Sequence, residues 1–172
     1  GRGADGEDDR ERLGGHRLAR AVAVASARPG ARLALHSTAR VFSGAKGGLR
    51  GDDPAEPLMV YGRTKLAAEQ EALRRCAGST VLRIALVCGR GWGPRPTASE
   101  SVAWALARGQ RVSLYTDEFR TPVDAEAVAA ALRALLRGAG AGIYHLGGPE
   151  RVSRQELGRR VALAFGLDPS GI

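Results

Sequence analysis

The chain has 172 residues, of which 44% are hydrophobic, and this length and composition suit a globular domain with its own core. It contains no apolar run of 18 residues, no N-terminal signal pattern and no His or Cys residues at metal-ligand spacing, which argues against a membrane span, secretion and a metal site. The net charge of +8 suggests nucleic-acid binding, but the arginines are spread along the chain and few aromatic residues are present to stack on bases, so the composition argues against it.

Hydrophobic periodicity and turn residues predict alternating helices and strands. Helices are predicted at residues 9–28, 60–76, 98–108, 124–137 and from Ser153 to 165. Strands are predicted at residues 32–36, 79–88, 111–115 and 142–146. Residues 1–8 are expected to form a flexible end, and 43–57 and 89–96 to form loops rich in Gly and Pro. This alternation indicates an α/β fold with a parallel sheet, in which the apolar run at 79–88 is a central strand.

Tyr61 and Lys65 are four residues apart on a predicted helix and therefore share one of its faces. A free phenol has a pKa of about 10, and an ammonium beside a phenol favours its phenolate form. This pair is suited to passing a proton to or from a carbonyl or alcohol oxygen. Taken alone the spacing is a weak signal, because a surface helix explains it equally well.

Ser37 and Thr38 directly follow the predicted strand at 32–36. Functional groups of doubly wound sheets collect at the carboxyl ends of strands, so a hydroxyl here is placed to bind a substrate oxygen together with the phenol of Tyr61. The alternative for Thr38 is that its hydroxyl only caps a turn.

Thr38, Tyr61 and Lys65 resemble the catalytic Ser/Thr, Tyr and Lys of extended short-chain dehydrogenases/reductases. Within that superfamily the chain is most similar to the dTDP-4-dehydrorhamnose reductase family, which carries a Ser-Thr-Asp-Tyr-Val-Phe stretch and then Pro-Leu-x-x-Tyr-Gly-x-Ser/Thr-Lys. Residues 57–69 (PLMVYGRTKLAAE) follow the second pattern closely, and residues 117–122 (DEFRTP) resemble the family's Asp-Gln-x-x-x-Pro-Thr segment. In the first pattern, Ala39-Arg40 replaces Asp-Tyr.

This resemblance implies a Rossmann-like parallel sheet, the C-terminal part of a doubly wound fold, with a small C-terminal substrate-binding subdomain. Residues 9–90 would form the sheet with the Tyr-x-x-x-Lys helix, and residues 91–172 the substrate-binding part, which partly returns to the main sheet. The family's Gly-rich cofactor-binding turn is expected to be missing. Residues 1–6 spell G-x-G-x-x-G, but no strand precedes them and acidic residues follow, so a nucleotide loop is not expected there.

The resemblance also implies a chemistry, in which NADPH or NADH delivers a hydride to a keto carbon of a nucleotide-sugar. Tyr61 would protonate the oxygen, Lys65 would favour the phenolate and hold the nicotinamide ribose, and Thr38 would orient the carbonyl. Arg83 is expected to contact the cofactor, although its position on an apolar strand also favours a buried structural partner.

Ser37 and Arg120 are expected to bind the substrate. For Arg120, pairing with Asp117 or Asp124 is the alternative.

A second function class stays open, that of a non-catalytic regulatory or binding subunit, as in the beta subunit of methionine adenosyltransferase, or an inactive fragment of a longer reductase. The expected lack of the cofactor-binding part favours this class, and we expect the isolated chain to bind NADPH or NADH poorly. A protein partner or a homodimer is then expected. The expected location is the cytoplasm, with an organelle stroma as the alternative.

Overall fold

The structure is a computed structural model that describes residues 32–172, except 92, 94 and 139. The predicted flexible end and the predicted helix at 9–28 lie outside the described residues. Contacts divide the chain into two compact units: the described part of the first unit comprises 32–84 and Ala130–Leu146, and the second comprises Ala85–Ala129 and Gly147–Ile172.

The first unit contains a three-stranded parallel sheet. Its strands are β1 (Ala34–Thr38), β2 (Thr80–Ile84) and β6 (Gly142–Leu146), in the spatial order β1-β2-β6. The connection between β1 and β2 contains helix α1 (Val60–Arg75), which packs on both strands and so completes a parallel βαβ crossover. Every residue of the central strand β2 is buried, as expected for a strand covered on both faces.

The described residues of the second unit form two whole helices, the start of a third, a pair of parallel strands and a pair of antiparallel strands. The parallel pair is β3 (Leu86–Cys88) with β5 (Pro122–Asp124), and the antiparallel pair is β4 (Phe119–Arg120) with β7 (Val152–Ser153). Helices α2 (Ala98–Ala107) and α4 (Arg154–Ala164) pack together through Val102, Ala103 and Val161. Helix α3 (Ala125–Gly138) begins in this unit, and its later residues belong to the first.

The sequence predicted the α/β class and all four described helices correctly, to within one or two residues at their ends. It also predicted β6 correctly, whereas β1 begins and ends two residues later than expected.

The single strand predicted at 79–88 is wrong, because the run divides at Ala85 into β2 and β3, which pair with different partners. The strand predicted at 111–115 is also wrong. There Val112 and Leu114 turn their side chains onto the α2–α4 core without joining a ladder.

Candidate active site

Thr38 is the last residue of β1 and lies at the carboxyl end of the parallel sheet. It is buried, and its Oγ1 accepts a 3.2 Å hydrogen bond from the Arg40 backbone N–H, which caps a 3₁₀ turn at Ala39–Val41. The Thr38 hydroxyl therefore caps a turn, as the alternative interpretation expected. Because a hydroxyl also carries one donor and a second lone pair, this bond leaves the hydroxyl proton of Thr38 available to a ligand.

Tyr61 and Lys65 lie on the first turns of α1, as the sequence predicted. The Lys65 Nζ is 6.0 Å from the centroid of the Tyr61 ring and donates a 3.1 Å hydrogen bond to the backbone carbonyl oxygen of His36. The Tyr61 side chain is 47% exposed. Lys65 thus lies between the phenol on its own helix and the strand that ends in Thr38.

A close approach between Gly62 and the backbone of Arg40 fixes α1 against the chain just after β1. A β-carbon on Gly62 would overlap the Arg40 carbonyl oxygen and would lie 2.8 Å from the Pro57 Cβ. Together with the Lys65–His36 bond, this contact places α1 against β1 on both sides of Thr38 in the chain. The structure therefore places Tyr61 and Lys65 on the helix that packs against the strand ending in Thr38.

The pKa of Lys65 is lowered, because partial burial penalises its charged form, while the negative charge of Glu69 acts in the opposite direction. An ammonium has three N–H donors, and His36 accepts from one. The remaining donors are available to hydroxyl oxygens of a ligand.

Ser37 and Arg83 belong to a buried cluster whose centre is Glu69. The Ser37 hydroxyl donates to Glu69 Oε1, and Arg83 donates from Nε to both carboxylate oxygens at 3.1 Å and from Nη2 to Oε2 at 2.7 Å. Ser37, Glu69 and Arg83 are 1%, 1% and 4% exposed. The Arg83 Nη1 is buried and has no hydrogen-bond partner among the described residues, so a ligand contact by Arg83 would have to use this atom.

The sequence interpretation did not assign a role to Glu69. Two signals pointed to it, namely the position four residues after Lys65 on the same helix face, and an arginine on an apolar strand that requires a buried counter-charge.

Arg120 lies in the second unit, at the end of β4. Its Nη2 is 2.8 Å from Glu118 Oε1, and its Nη1 donates to the Phe119 carbonyl oxygen at 2.8 Å. Its partner is therefore Glu118 rather than Asp117 or Asp124. The same unit places the Arg151 guanidinium 3.5 Å from the centroid of the Phe119 ring, and Arg154 4.0 Å from Glu118.

Across residues 32–172, leaving out 92, 94 and 139, no group of three or more His, Cys, Asp or Glu side chains is arranged to hold a metal ion. No helix in this part of the chain is both long and apolar enough to span a bilayer.

The sequence matches the family described as "RmlD substrate binding domain" over residues 4–172. It is 36% identical over 158 residues to dTDP-4-dehydrorhamnose reductase from Mycobacterium tuberculosis, which covers 88% of this chain and 51% of that protein. It is also 29% identical over 144 residues to methionine adenosyltransferase 2 subunit beta from Danio rerio, covering 78% of this chain and 43% of that protein. The chain thus spans about half the length of the curated relatives it matches.

The fold is also similar to that of a solved structure of MoeE5 in complex with UDP-glucuronic acid and NAD. That structure matches with a TM-score of 0.74 and 32% identity, over 91% of this chain and 55% of MoeE5. The Tyr-Lys helix, the strand end beside it and the match over nearly the whole sequence all agree, and the chain belongs to the RmlD substrate binding domain family of Rossmann-like reductases.

Proposed function

We propose that this chain carries the proton-transfer and substrate-binding part of an NAD(P)-dependent reductase that acts on the keto group of a nucleotide-sugar. The observation that carries the proposal is the position of Lys65, whose ammonium lies 6.0 Å from the Tyr61 ring and is bonded to the strand that ends in Thr38. Ligands of open α/β sheets bind outside the carboxyl ends of the strands, so this position of the pair supports a functional role.

In this proposal each of the three residues has one role. The keto carbon accepts a hydride, the C=O electron pair moves onto the oxygen, and Tyr61 gives its hydroxyl proton to that oxygen. The product is an alcohol and Tyr61 is left as a phenolate, which the adjacent Lys65 ammonium stabilises. Thr38 donates a hydrogen bond to the same oxygen and so orients the carbonyl before the transfer.

A nicotinamide cofactor would supply the hydride. The residues present fit such a group, because the half-buried Lys65 ammonium has N–H donors beyond the one that His36 accepts, and ribose hydroxyls are suitable acceptors. The NAD bound to MoeE5, which is 32% identical, supports the same class of cofactor. The choice between NADH and NADPH is left to measurement.

Arg120 is proposed to bind the anionic part of the substrate. Three arginines, Arg120, Arg151 and Arg154, lie around the Glu118–Phe119 segment, and Glu118 offsets part of their charge. A nucleotide-sugar carries a diphosphate and an aromatic base, which suit guanidinium groups and an exposed ring. The UDP-glucuronic acid bound to MoeE5 supports this class of substrate.

For Ser37 and Arg83, the bonds to Glu69 favour support of the site over direct contact with a ligand. The substrate-binding role of Ser37 and the cofactor-binding role of Arg83 stay predictions.

The test is an assay of the protein expressed from its complete gene. Purified protein is mixed with NADPH or NADH and a dTDP- or UDP-linked 4-keto sugar, and the loss of absorbance of the reduced nicotinamide is followed. Turnover that disappears in Tyr61→Phe and persists in Tyr115→Phe, an exposed tyrosine of the second unit, is the expected result. Equal turnover by both variants would exclude the role given to Tyr61.

A second candidate is a non-catalytic subunit of a protein complex, favoured by the similarity to methionine adenosyltransferase 2 subunit beta. The same assay separates the two, since this candidate predicts cofactor or nucleotide-sugar binding by calorimetry without turnover of any keto sugar. Stable association with a partner enzyme in size-exclusion chromatography would then support it.

A further inference from the structure

Three elements of the first unit meet at one buried carboxylate. Ser37 reaches Glu69 from β1, Arg83 reaches it from β2, and Glu69 itself extends from α1. Ser37 and Arg83 are also direct partners in the register of the two strands, so the carboxylate spans the β1–β2 pair. The carboxylate accepts every hydrogen bond in this cluster, and its side chain is 1% exposed.

Stability alone gives a weak reason for such a cluster. The free-energy cost of removing two charges from water offsets most of the attraction between them. Replacement of both partners by apolar residues is therefore often neutral or stabilising. Positioning of neighbouring residues is the better explanation, because the residues of the cluster are adjacent in the chain or on the helix to the proposed catalytic residues. Ser37 precedes Thr38 in β1, and Glu69 follows Lys65 by one helical turn.

Lys65 and Glu69 bind consecutive residues of β1. The Lys65 Nζ donates to the His36 carbonyl oxygen, and the Glu69 carboxylate accepts from the Ser37 hydroxyl. The helix is thus held to the strand at two successive positions immediately before Thr38. Loss of either contact would allow Thr38 to move relative to the helix face that carries Tyr61.

The charged and titratable groups around the Lys65 ammonium come from each of these elements. Tyr61 and Glu69 lie on its own helix, His36 on β1, and Arg83 on β2 behind Glu69. Burial lowers the pKa of Lys65, and Glu69 is the group that opposes this effect.

We propose that Glu69 is a positioning residue of this site, whose buried carboxylate holds β1 and α1 in register around Thr38 and supplies the counter-charge for the Lys65 ammonium. This inference rests on the proposed function, because that function gives Lys65 and Thr38 their roles. Glu69 itself touches neither the reacting carbon nor the oxygen; it acts through Ser37 and Lys65.

The chain offers a direct measurement, because Lys46 and Lys65 are its only two lysines. Lysine labelled with ¹³C and ¹⁵N gives one Nζ/Cε signal for each, and the signals lost in Lys46→Arg and in Lys65→Arg assign the two. Lys46 serves as an internal reference, since it is paired with Asp53 in the loop before α1 and is 69% exposed. In Glu69→Gln the titration midpoint of Lys65 should fall, and that of Lys46 should stay unchanged.

A matched control removes the same charge from the same helix. Glu71→Gln breaks the ion pairs with Arg74 and Arg75 and should leave the Lys65 midpoint in place. Glu69→Asp keeps the charge with a shorter side chain, so the Lys65 midpoint should be closer to its wild-type value than in Glu69→Gln. An unchanged Lys65 midpoint in Glu69→Gln, or an equal fall in Glu71→Gln, would overturn the proposal.

Glu69→Gln leaves Arg83 as an unpaired buried charge and risks unfolding. The double variant Glu69→Gln/Arg83→Met removes both charges at similar volume. The Lys65 midpoint should still fall in it, by less than in Glu69→Gln, because loss of the Arg83 charge acts in the opposite direction. These titrations need no substrate or cofactor. An inactive wild type with a normal Glu69 response would therefore refute the reductase assignment alone, and an active wild type without that response would refute the role of Glu69 alone.

Discussion

The Arg40 carbonyl oxygen lies so close to Gly62 that no β-carbon fits between them. The contact joins the chain just after β1 to the first turn of α1, directly after Tyr61. A glycine inside a helix normally costs about 0.5–1 kcal/mol relative to alanine, so its presence here has a packing reason.

Gly62→Ala should therefore destabilise the protein although alanine is the better helix former. Overpacking typically costs about 1–3 kcal/mol, which exceeds the gain in helix propensity because the obstructing atom belongs to the backbone and cannot rotate away. Urea denaturation should show a lower midpoint, with Gln70→Ala on the exposed face of the same helix as a control within about 0.5 kcal/mol of wild type. A Gly62→Ala protein more stable than wild type would show that the chain around Arg40 moves freely.

Tyr61→Phe should separate chemistry from folding. The side chain is 47% exposed, so the free energy of unfolding should change by less than about 0.5 kcal/mol. Turnover should fall by about 10²–10⁴-fold, the usual contribution of a positioned proton donor. Turnover is measured with the reduced nicotinamide and a 4-keto nucleotide-sugar. The change in the free energy of unfolding is measured by thermal unfolding. A variant that loses activity by unfolding would not support the assigned role.

Helix α1, with Tyr61 and Lys65, and the strand that ends in Thr38 could be predicted from the sequence because their signals are local. The division of 79–88 could not, because it depends on which distant strand each half joins: Thr80–Ile84 pairs with β1 and β6, and Leu86–Cys88 pairs with β5. An uninterrupted apolar run does not indicate which strand each of its halves will pair with. The two-residue strands β4 and β7 are similarly products of tertiary pairing.

Val112 and Leu114 illustrate the opposite error. Their alternation predicted a strand at 111–115, but alternation requires only that every second side chain be buried, which the α2–α4 core achieves without a ladder. In the site, Tyr61, Lys65 and Thr38 were predicted from spacing, order and resemblance, whereas the contacts of Glu69 form only where β1 and β2 bring Ser37 and Arg83 to it.

The pH dependence of the end of α1 should follow Glu71. Hydrogen bonds from Arg75 and then from Arg74 lower the pKa of this carboxyl to about 2 from an ordinary value of 4.5. The unfolded chain therefore binds a proton more readily than the folded one, so the stabilisation is fully present above pH 4.5 and is lost as the pH falls from 4.5 through about 2. Carboxyl ¹³C NMR should give this titration directly, and Glu71→Gln should flatten the acid limb of a stability profile. A Glu71 midpoint near 4.5 would contradict the ion pairs.

The N-terminus of α2 should be more strongly capped than that of α4. Thr97 and Glu100 form a full capping box: Thr97 Oγ1 accepts from the Glu100 N–H at 3.2 Å, and Glu100 Oε2 accepts from the Thr97 N–H at 2.9 Å. Ser153 and Glu156 have the same S/T-x-x-E spacing at α4, but only the Ser153 half of the motif is made, at 3.0 Å, and the Glu156 carboxylate pairs with Arg160 instead. Here the S/T-x-x-E pattern alone was not decisive, because a nearby arginine competes for the glutamate.

Thr97→Ala should accordingly cost more than Ser153→Ala. Loss of a capping side chain costs about 0.5–2 kcal/mol, and Thr97 Oγ1 has a second role as a donor to the Gly89 carbonyl oxygen at 2.7 Å. We expect Thr97→Ala near the upper end of that range and Ser153→Ala near the lower end, measured by urea denaturation. Ser101→Ala, which removes only a bond to the Thr97 carbonyl on the exposed side of α2, is the matched control and should stay within about 0.5 kcal/mol of wild type. Equal losses for the two caps would mean that the second half of the box and the bond to Gly89 add nothing measurable.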